Sequence, residues 1–260
     1  MKLLITTRAD NGIKEMTTIT HPLIQEYASA VGADFKVLNN LPQCYHGNGD
    51  DPIPQGKIEC SFKILKLYEL FEDYDRILHI DSDMLLTPTM PNIFQHVPLD
   101  KIGTIFEDKG IKAHARRSLI QSIQYKFGFV DWRTGYINTG MILASKMHRD
   151  IFKTINDRYW NYWGYDDAHI GFLIRKHNFK IFELDYRWNH MTMFSEPWNN
   201  NADRFDSHVI HYAGVGIFDD KGLNNKLEQI KLDYKKIYPN GIGNFKEQIK
   251  QNSLGGKHEI

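Results

Sequence analysis

Two aspartates, Asp81 and Asp83, directly follow an apolar stretch, residues 76–80, that has the pattern of a buried strand. Side chains alternate along an extended chain, so Asp81 and Asp83 share one side and Ser82 faces the other. In open α/β sheets, ligands bind beyond the carboxyl ends of the strands. Two like charges there repel each other unless a cation lies between them, and oxygen ligands suit Mg²⁺ or Mn²⁺. The pair therefore predicts a divalent-metal site.

An Asp-x-Asp triplet is weak evidence by itself, because such triplets also arise by chance. The chain contains a second one, Asp73-Tyr74-Asp75, which precedes the strand instead of following it. We interpret this second triplet as a solvated turn at the end of a helix. Position relative to the strand, and not spacing alone, favours Asp81 and Asp83.

Two further polar residues lie at or within predicted strands. His211 is near the end of a strand predicted over residues 207–212, and a neutral imidazole there is a natural metal ligand, although a lone histidine is more often structural. Asn138 interrupts a strand predicted over 136–144 and is followed by Thr139 and Gly140. A glycine inside a strand often marks the close approach of a ligand or another backbone, the alternative being a simple bulge. The Asn138 amide can both donate and accept hydrogen bonds, which suits sugar hydroxyls.

Two other clusters flank predicted elements. Thr6, Thr7 and Arg8 end the first predicted strand, where a doubly wound fold holds ligand contacts, so they are candidates to meet a nucleotide; a plain strand exit is the alternative. Asp166 and Asp167 stand at the start of a predicted helix. An N-cap role would account for one of these two carboxylates but not obviously for both.

Composition limits the classes of function. The chain has 260 residues, zero formal net charge and 25% charged residues, which fits a soluble protein of one large domain or two small ones and gives no basic excess for nucleic acid. Its two cysteines give no disulfide framework and suit a reducing compartment, so we expect a cytoplasmic protein. The N-terminal apolar run is too short for a signal peptide, and nothing approaches the roughly 18 apolar residues of a membrane span.

Strand and helix patterns alternate along the chain, which predicts an α/β fold with a mainly parallel sheet flanked by helices in a single domain. We expect this domain to cover residues 1–240 and a weakly held tail to cover 241–260. Lys63 is predicted on a helix flank, where projection toward an anionic site and plain solvation are both open. The strands are predicted over residues 3–7, 34–38, 76–80, 102–106, 136–144, 180–184 and 207–212, and the helices over 14–31, 59–74, 113–126, 145–159, 166–177 and 221–238.

In order and spacing, these stretches resemble the GT-A glycosyltransferases, most closely the family that includes glycogenin and the bacterial galactosyltransferases of lipopolysaccharide synthesis. The resemblance covers positions 3 to about 216. The blocks that carry it are Ile5-Thr6-Thr7, Tyr74 to Asp83, Gly135 to Gly140, Asp166-Asp167, Tyr186-Arg187-Trp188-Asn189 and His211-Tyr212-Ala213-Gly214.

The resemblance implies a GT-A fold and a set of roles. Asp81, Asp83 and His211 would hold Mn²⁺ (or Mg²⁺), and Asn138 and Asp166 would lie near the donor sugar. Asp167, next to Asp166, joins these two as a candidate catalytic residue. The residues that the resemblance assigns to donor binding are Thr6, Thr7, Arg8, Lys63, Asp81, Ser82 and Gly214.

The sequence departs from the family at two points. The family often continues its late His-x-x-Gly with Lys-Pro-Trp, whose lysine meets the diphosphate, whereas this chain has residues 215–218, Val-Gly-Ile-Phe. Lys221, Lys63 and Arg117 are therefore the candidates for diphosphate binding. The usual Asp-Gln pair is Asp166-Asp167 here, which leaves the sugar preference open.

We therefore expect a metal-dependent transferase that moves a hexose from a UDP-sugar to a glycan or other hydroxyl acceptor. A metal neutralises the diphosphate leaving group and cationic side chains add to this. An inverting enzyme also needs a carboxylate base for the acceptor, whereas the resemblance favours retention with Asp166 near the anomeric carbon. One alternative is a non-catalytic nucleotide-sugar or carbohydrate-binding module of the same fold. The other, a sugar-nucleotide pyrophosphorylase, is disfavoured because residues 8–11, Arg-Ala-Asp-Asn, lack a glycine-rich loop.

Overall fold

The computed structural model describes residues 1–9, 11–39, 61–218, 222–223, 225–242, 245–247 and 249. The strands are β1 (Leu3–Arg8), β2 (Asp34–Leu38), β3 (Arg76–Ile80), β4 (Met84–Leu86), β5 (Lys101–Phe106), β6 (Ile137–Ser145), β7 (Lys180–Glu183) and β8 (Val209–His211). The α-helices are α1 (Lys14–Val31), α2 (Leu67–Leu70), α3 (Ile93–His96), α4 (Ala113–Phe127), α5 (Tyr165–Lys176) and α6 (Lys226–Ile237). Short 3-10 helices cover Asn11–Ile13, Lys63–Lys66, Gly110–Lys112, Lys146–Phe152, Tyr186–Trp188, Thr192–Ser195, Pro197–Asn199 and Arg204–Asp206.

Within these described residues, six strands form the main sheet in the order β2-β1-β3-β6-β5-β7. β1 pairs in parallel with β2 and β3, and β5 pairs in parallel with β7, whereas β6 is antiparallel to both β3 and β5. The predicted α/β fold with a mainly parallel sheet is confirmed. Because β6 is reversed, its first residues lie beside the carboxyl ends of β3 and β5, and the Asp81 amide donates to the Gly140 carbonyl at 2.7 Å.

Apolar side chains cover both faces of this sheet, as a central parallel sheet requires. Leu4 and Ile5 are neighbours in β1, and both are fully buried, but they belong to two different hydrophobic clusters because strand side chains alternate. Helices α1 and α6 pack in the Ile5 cluster, and α4 and α5 pack in the Leu4 cluster. The helix predicted over residues 14–31 has those bounds, and it ends at Gly32 in the left-handed conformation (φ 73°) that glycine adopts readily.

Two predicted helices have a different form. The helix predicted over 145–159 is a 3-10 helix that ends at Phe152, because the chain turns back between Ile155 and Arg158 with Asn156 and Asp157 at positive φ. In the described part of the helix predicted over 59–74, a 3-10 turn precedes the short α2. Its residues 62–65 are all buried, so packing on every side overrides the one-sided pattern of a surface helix.

Of the remaining predicted elements, the strands over 34–38 and 76–80 have the predicted bounds, and the others are present with shifted ends. The strand expected over 207–212 is the shorter β8, and the helix expected over 221–238 is α6. Phe245, in the predicted tail, is buried and packs edge-on against Tyr27 with ring centroids 5.9 Å apart. Among the described residues, no helix has the length and apolar character needed to cross a membrane.

Candidate active site

The three predicted metal ligands lie together at the carboxyl edge of the main sheet. Asp81 and Asp83 follow β3, and β4 begins directly after them. β4 pairs with β8 so that Met84 lies opposite His211, which places the histidine beside Asp83. One ligand atom from each of the three residues lies within 4.8 Å of the others, and His211 Nε2 is 3.4 Å from Asp83 Oδ1.

A buried chain of amide groups orients His211. Its Nδ1 donates to Asn189 Oδ1 at 2.8 Å, Asn189 Nδ2 donates to Asn138 Oδ1 at 2.9 Å, and Asn138 Nδ2 donates to Glu107 Oε2 at 3.2 Å. With the hydrogen on Nδ1, the lone pair of Nε2 faces Asp83, as in metal-binding histidines. Two carboxylates and a neutral imidazole nitrogen are a donor set that fits Mn²⁺ or Mg²⁺.

Arg8 pairs with one of the two aspartates and with Asp166. Its Nε is 3.0 Å from Asp81 Oδ1 and its Nη1 is 2.6 Å from Asp166 Oδ2. Burial alone would raise the pKa of Asp81, but the Arg8 charge and the hydrogen bond from His79 outweigh it and hold that pKa far below its usual value. Asp81 is therefore ionised at neutral pH, as metal binding requires.

Lys226 pairs with the other aspartate, since its Nζ lies 2.7 Å from Asp83 Oδ2. Burial raises the pKa of Asp83, whereas Lys226 and, whenever its ring carries a second proton on Nε2, His211 lower it, and the net shift is downward. Lys226 is a cation that the sequence analysis did not single out, because it lies on α6, far along the chain from Asp83. It supplies positive charge at the edge of the site, which residues 215–218, Val-Gly-Ile-Phe, do not.

Asp166 and Asp167 lie in the first turn of α5, and the N-cap position belongs to Gly164, so neither is the N-cap. Asp166 is buried, and its Oδ2 lies 2.8 Å from the Thr139 hydroxyl oxygen. Asp167 Oδ1 accepts the Thr139 backbone N–H at 2.7 Å. Asp81, Asp83 and His211 are called the metal set below. Two adjacent residues of β6 link it to the carboxylates of α5: Thr139 contacts Asp166 and Asp167, and the Gly140 carbonyl accepts from the Asp81 amide.

A cleft of about 280 Å³ joins these groups. It is lined by Arg8, Asp81, Asp83, Glu107, Lys112, Arg116, Asn138, Thr139, Gly140, Asp166, Asp167, His211, Ala213 and Gly214. A larger cavity of about 870 Å³ lies between the start of α1 and the start of α6, and Lys226 borders it. We identify the smaller cleft as the candidate active site because the metal set and the carboxylates of α5 converge there.

Solved structures share this architecture, whereas no family profile and no curated protein sequence matches the chain. A glycosyltransferase involved in the glycosylation of the major capsid of PBCV-1 has a TM-score of 0.56 and 15% identity, with 89% of this chain and 100% of that chain covered. The galactosyltransferase LgtC, in complex with donor and acceptor sugar analogues, has a TM-score of 0.55 and 17% identity, covering 92% and 97%. The bifunctional glycosyltransferase WbbM has a TM-score of 0.59 and 14% identity, covering 96% of this chain and 51% of that one.

This chain has the GT-A glycosyltransferase fold. At these identities the likeness establishes the fold, and the chemistry has to be argued from the side chains. In the GT-A chain, the metal set, Asn138, Asp166, Asp167, Arg8 and Gly214 all border the cleft.

Other predicted donor-binding residues have partners behind the cleft. The Thr6 hydroxyl bonds His79 Nδ1 at 3.0 Å, and His79 Nε2 is 3.3 Å from Asp81 Oδ1, so this pair supports the first aspartate. The Thr7 hydroxyl lies 3.0 Å from the Ser82 hydroxyl, and Ser82 is buried, facing away from the metal set as predicted.

The predicted diphosphate residues have separate locations. Lys63 is buried and its Nζ donates to the Ala9 carbonyl at 2.9 Å. The Arg117 side chain is 51% exposed and lies 3.4 Å from Asp108. Lys221 lies outside the described residues.

Gly140 is required by the packing of the site. A Cβ there would lie 2.7 Å from His211 Cε1, 2.8 Å from Met84 Cε and 2.9 Å from Asn138 Oδ1. At this glycine the sequence left open the close approach of a ligand or another backbone and a simple bulge. The observed neighbours are these side chains, and the β5–β6 register shifts between the pairs Gly103–Leu143 and Ile105–Asn138, so β6 is irregular at this point. The bare backbone lets the candidate metal-binding histidine pack directly on β6.

Besides Lys226, Glu107 at the cleft and Asn189 behind it escaped the sequence analysis. Glu107 follows β5 and accepts from Lys112 at 2.9 Å and from Arg116 at 2.6 Å. An acidic residue after a predicted strand was the signal that selected Asp81, so the same rule applied to β5 would have found Glu107. Asn189 was noted only as part of a family block, and its contact with His211 has no local sequence signal.

Proposed function

We propose that this protein is a metal-dependent glycosyltransferase that transfers a hexose from a UDP-sugar to a glycan or other hydroxyl acceptor with retention of anomeric configuration. The observation that carries the proposal is the Asp81, Asp83 and His211 set at the carboxyl edge of a GT-A sheet. Solved structures with this fold are glycosyltransferases, and one was obtained with donor and acceptor sugar analogues.

Asp81, Asp83 and His211 would hold Mn²⁺ or Mg²⁺, which when bound supplies positive charge for the diphosphate leaving group. The chain adds its own cations: Arg8 and Lys226 each pair with one of the aspartates. With a divalent ion held by these carboxylates, Arg8 and Lys226 would give up part of that pairing. Both cations would then have hydrogen-bond donors available for phosphate oxygens, which would stabilise the departing UDP electrostatically.

Asp166 is the carboxylate that we assign to the reacting sugar. It is buried at the cleft, oriented by Arg8 at 2.6 Å and by Thr139 at 2.8 Å. A fixed negative charge stabilises the positive charge that develops at an anomeric carbon as the glycosidic bond breaks. The Asn138 side chain accepts hydrogen bonds from Asn189 and from the Gly140 backbone N–H, and it donates to Glu107. Because its amide is engaged within the protein, we assign Asn138 a structural role at the cleft.

Product analysis tests this function. The wild-type protein is incubated with a panel of UDP-hexoses, Mn²⁺ and simple glycoside acceptors, and UDP release and product configuration are measured. We expect metal-dependent UDP release with at least one donor, and a product whose anomeric configuration matches that donor. An inverted product would contradict the retaining assignment alone, whereas binding of UDP-sugar without any turnover would favour a non-catalytic binding module.

Variants of the candidate metal ligands, compared with control variants, test which residues the activity depends on. Asp83→Ala and His211→Ala are expected to lower metal-dependent UDP release by about 100-fold or more, since metal-ligand loss exceeds the 10- to 100-fold typical of outer partners. Asp73→Ala and His114→Ala are the controls, because both of these residues are exposed and Asp73 belongs to the other Asp-x-Asp triplet. Equal losses of UDP release in the two controls would contradict the assignment of Asp83 and His211 as metal ligands.

A further inference from the structure

The Thr139 hydroxyl lies between two carboxylate oxygens. Its Oγ1 is 2.8 Å from Asp166 Oδ2 and 2.7 Å from Asp167 Oδ1. A hydroxyl has one hydrogen, so it can donate to only one of them. The other contact needs its own hydrogen, because an oxygen lone pair facing a carboxylate at this distance is repulsive. That hydrogen has to come from one of the two carboxyl groups.

Ion pairing indicates which carboxyl group carries it. Asp166 Oδ2 accepts Arg8 Nη1 at 2.6 Å, so its negative charge is compensated. Within the part of the chain that the structure describes, Asp167 forms no ion pair. Arg116 faces Asp167, but its guanidinium pairs with Glu107 at 2.6 Å.

The surroundings of Asp167 favour its neutral form. Burial raises the pKa of Asp167, the charges of Asp166 and Glu107 raise it further, and the Thr139 hydrogen bonds that oppose them leave it well above its usual range. Tyr136 also faces this group, and burial raises the pKa of its phenol, so it stays neutral. Arg116 is the opposing cation, and Glu107 offsets its charge.

We propose that Asp167 is protonated at neutral pH and donates a hydrogen bond to the Thr139 hydroxyl, which in turn donates to the Asp166 carboxylate. Asp167 Oδ1, the oxygen that carries this hydrogen, also accepts the Thr139 backbone N–H at 2.7 Å through a lone pair, which fixes its position. Asp167 and Thr139 are thus positioning residues that aim Asp166 at the cleft. The protonation follows from the contacts alone, and the catalytic consequence rests on the proposed function.

Carboxyl ¹³C NMR of protein with labelled aspartate tests the protonation without UDP-sugar, metal or turnover. The signal that Asp167→Asn removes is expected to have the chemical shift of a protonated carboxyl at neutral pH. If Asp167→Asn does not fold, the signal is assigned by its displacement in Thr139→Val, which removes the hydroxyl but keeps the backbone N–H. A carboxylate shift at neutral pH overturns the proposal.

Kinetics test the positioning role. Thr139→Val is expected to lower kcat for UDP release by about tenfold or more, with donor KM and Mn²⁺ affinity close to wild type, because a hydrogen bond to a charged group is lost. Thr139→Ser keeps the hydroxyl and is expected to restore most of kcat. An unchanged kcat in Thr139→Val overturns the positioning role. Absence of turnover in the wild-type protein contradicts the proposed function, and the NMR result is independent of it.

Discussion

Replacement of Asn189 should weaken metal binding without removing any of the candidate metal ligands. Asn189 is fully buried, accepts from His211 Nδ1 at 2.8 Å and donates to Asn138 Oδ1 at 2.9 Å. In Asn189→Ala, the Nδ1 hydrogen loses its acceptor. The ring is then free to rotate or to move the hydrogen to Nε2, which faces Asp83 and must be unprotonated to bind a metal.

Asn189→Ala is expected to lose both metal affinity and folding stability, and the two losses can be measured separately. Removing the hydrogen-bond partner of a metal-binding histidine typically costs about 10- to 100-fold in metal affinity, or about 1.4–2.8 kcal/mol. Leaving a buried N–H without an acceptor costs a further ~1–3 kcal/mol of folding stability. We therefore expect Asn189→Ala to fold, with a lower urea midpoint, and to bind Mn²⁺ about 10- to 100-fold more weakly than wild type.

Calorimetric titration with Mn²⁺ measures the loss of metal affinity and urea denaturation measures the loss of stability. Tyr27→Phe is the matched control, because Tyr27 is equally buried and its hydroxyl donates to the Pro91 carbonyl at 2.7 Å and accepts the Ile93 N–H at 3.1 Å. The control is expected to lose stability and keep its Mn²⁺ affinity. The reasoning is refuted if Asn189→Ala binds Mn²⁺ as wild type does, or if Tyr27→Phe weakens binding equally.

Three further outcomes are expected. Gly140→Ala should weaken Mn²⁺ binding measured by calorimetry, because its Cβ would lie 2.7 Å from His211 Cε1 and displace the ring. Lys226→Met should tighten the binding of Mn²⁺ to the protein without nucleotide by up to about tenfold, because it removes a competing cation from Asp83; unchanged or weaker binding would count against this. Stability in urea should fall as pH drops from about 6.5 to about 4, because burial lowers the pKa of His169 to about 4 and the unfolded chain takes up its proton first. That shift is worth about 3 kcal/mol, and His169→Phe should flatten the profile.

The sequence predicted the main features of the fold through local patterns. Alternating strands and helices identified the α/β architecture, and the helix over residues 14–31 with its terminal Gly32 has the predicted bounds. The direction of β6 was beyond reach, because a strand has the same residue pattern in either orientation. That reversal is what places Asn138, Thr139 and Gly140 beside the carboxyl end of β3.

The residues of the candidate site, too, could be predicted from the sequence only in part. Asp81, Asp83 and His211 were identified because each follows or ends a strand, which is a local signal. Contacts such as Arg8 with Asp166 and Lys226 with Asp83 join residues far apart in sequence, so only the fold reveals them.

For the hydroxyls of Thr6 and Thr7, position along the chain was not enough to identify their contacts. Their position at a strand exit suggested a nucleotide contact, whereas both hydroxyls bond neighbouring side chains, His79 and Ser82. Local patterns therefore indicated where the site lies, and tertiary packing determined which side chains face it.

Calorimetric titration of UDP with and without Mn²⁺ tests the central claim most directly, in wild type, Asp83→Ala and His211→Ala, with Asp73→Ala as control. We expect UDP binding that requires Mn²⁺ in the wild-type protein and the control, and that is lost in both ligand variants. UDP binding that is independent of Mn²⁺, or that survives in both Asp83→Ala and His211→Ala, would contradict the assignment of these residues as the metal site.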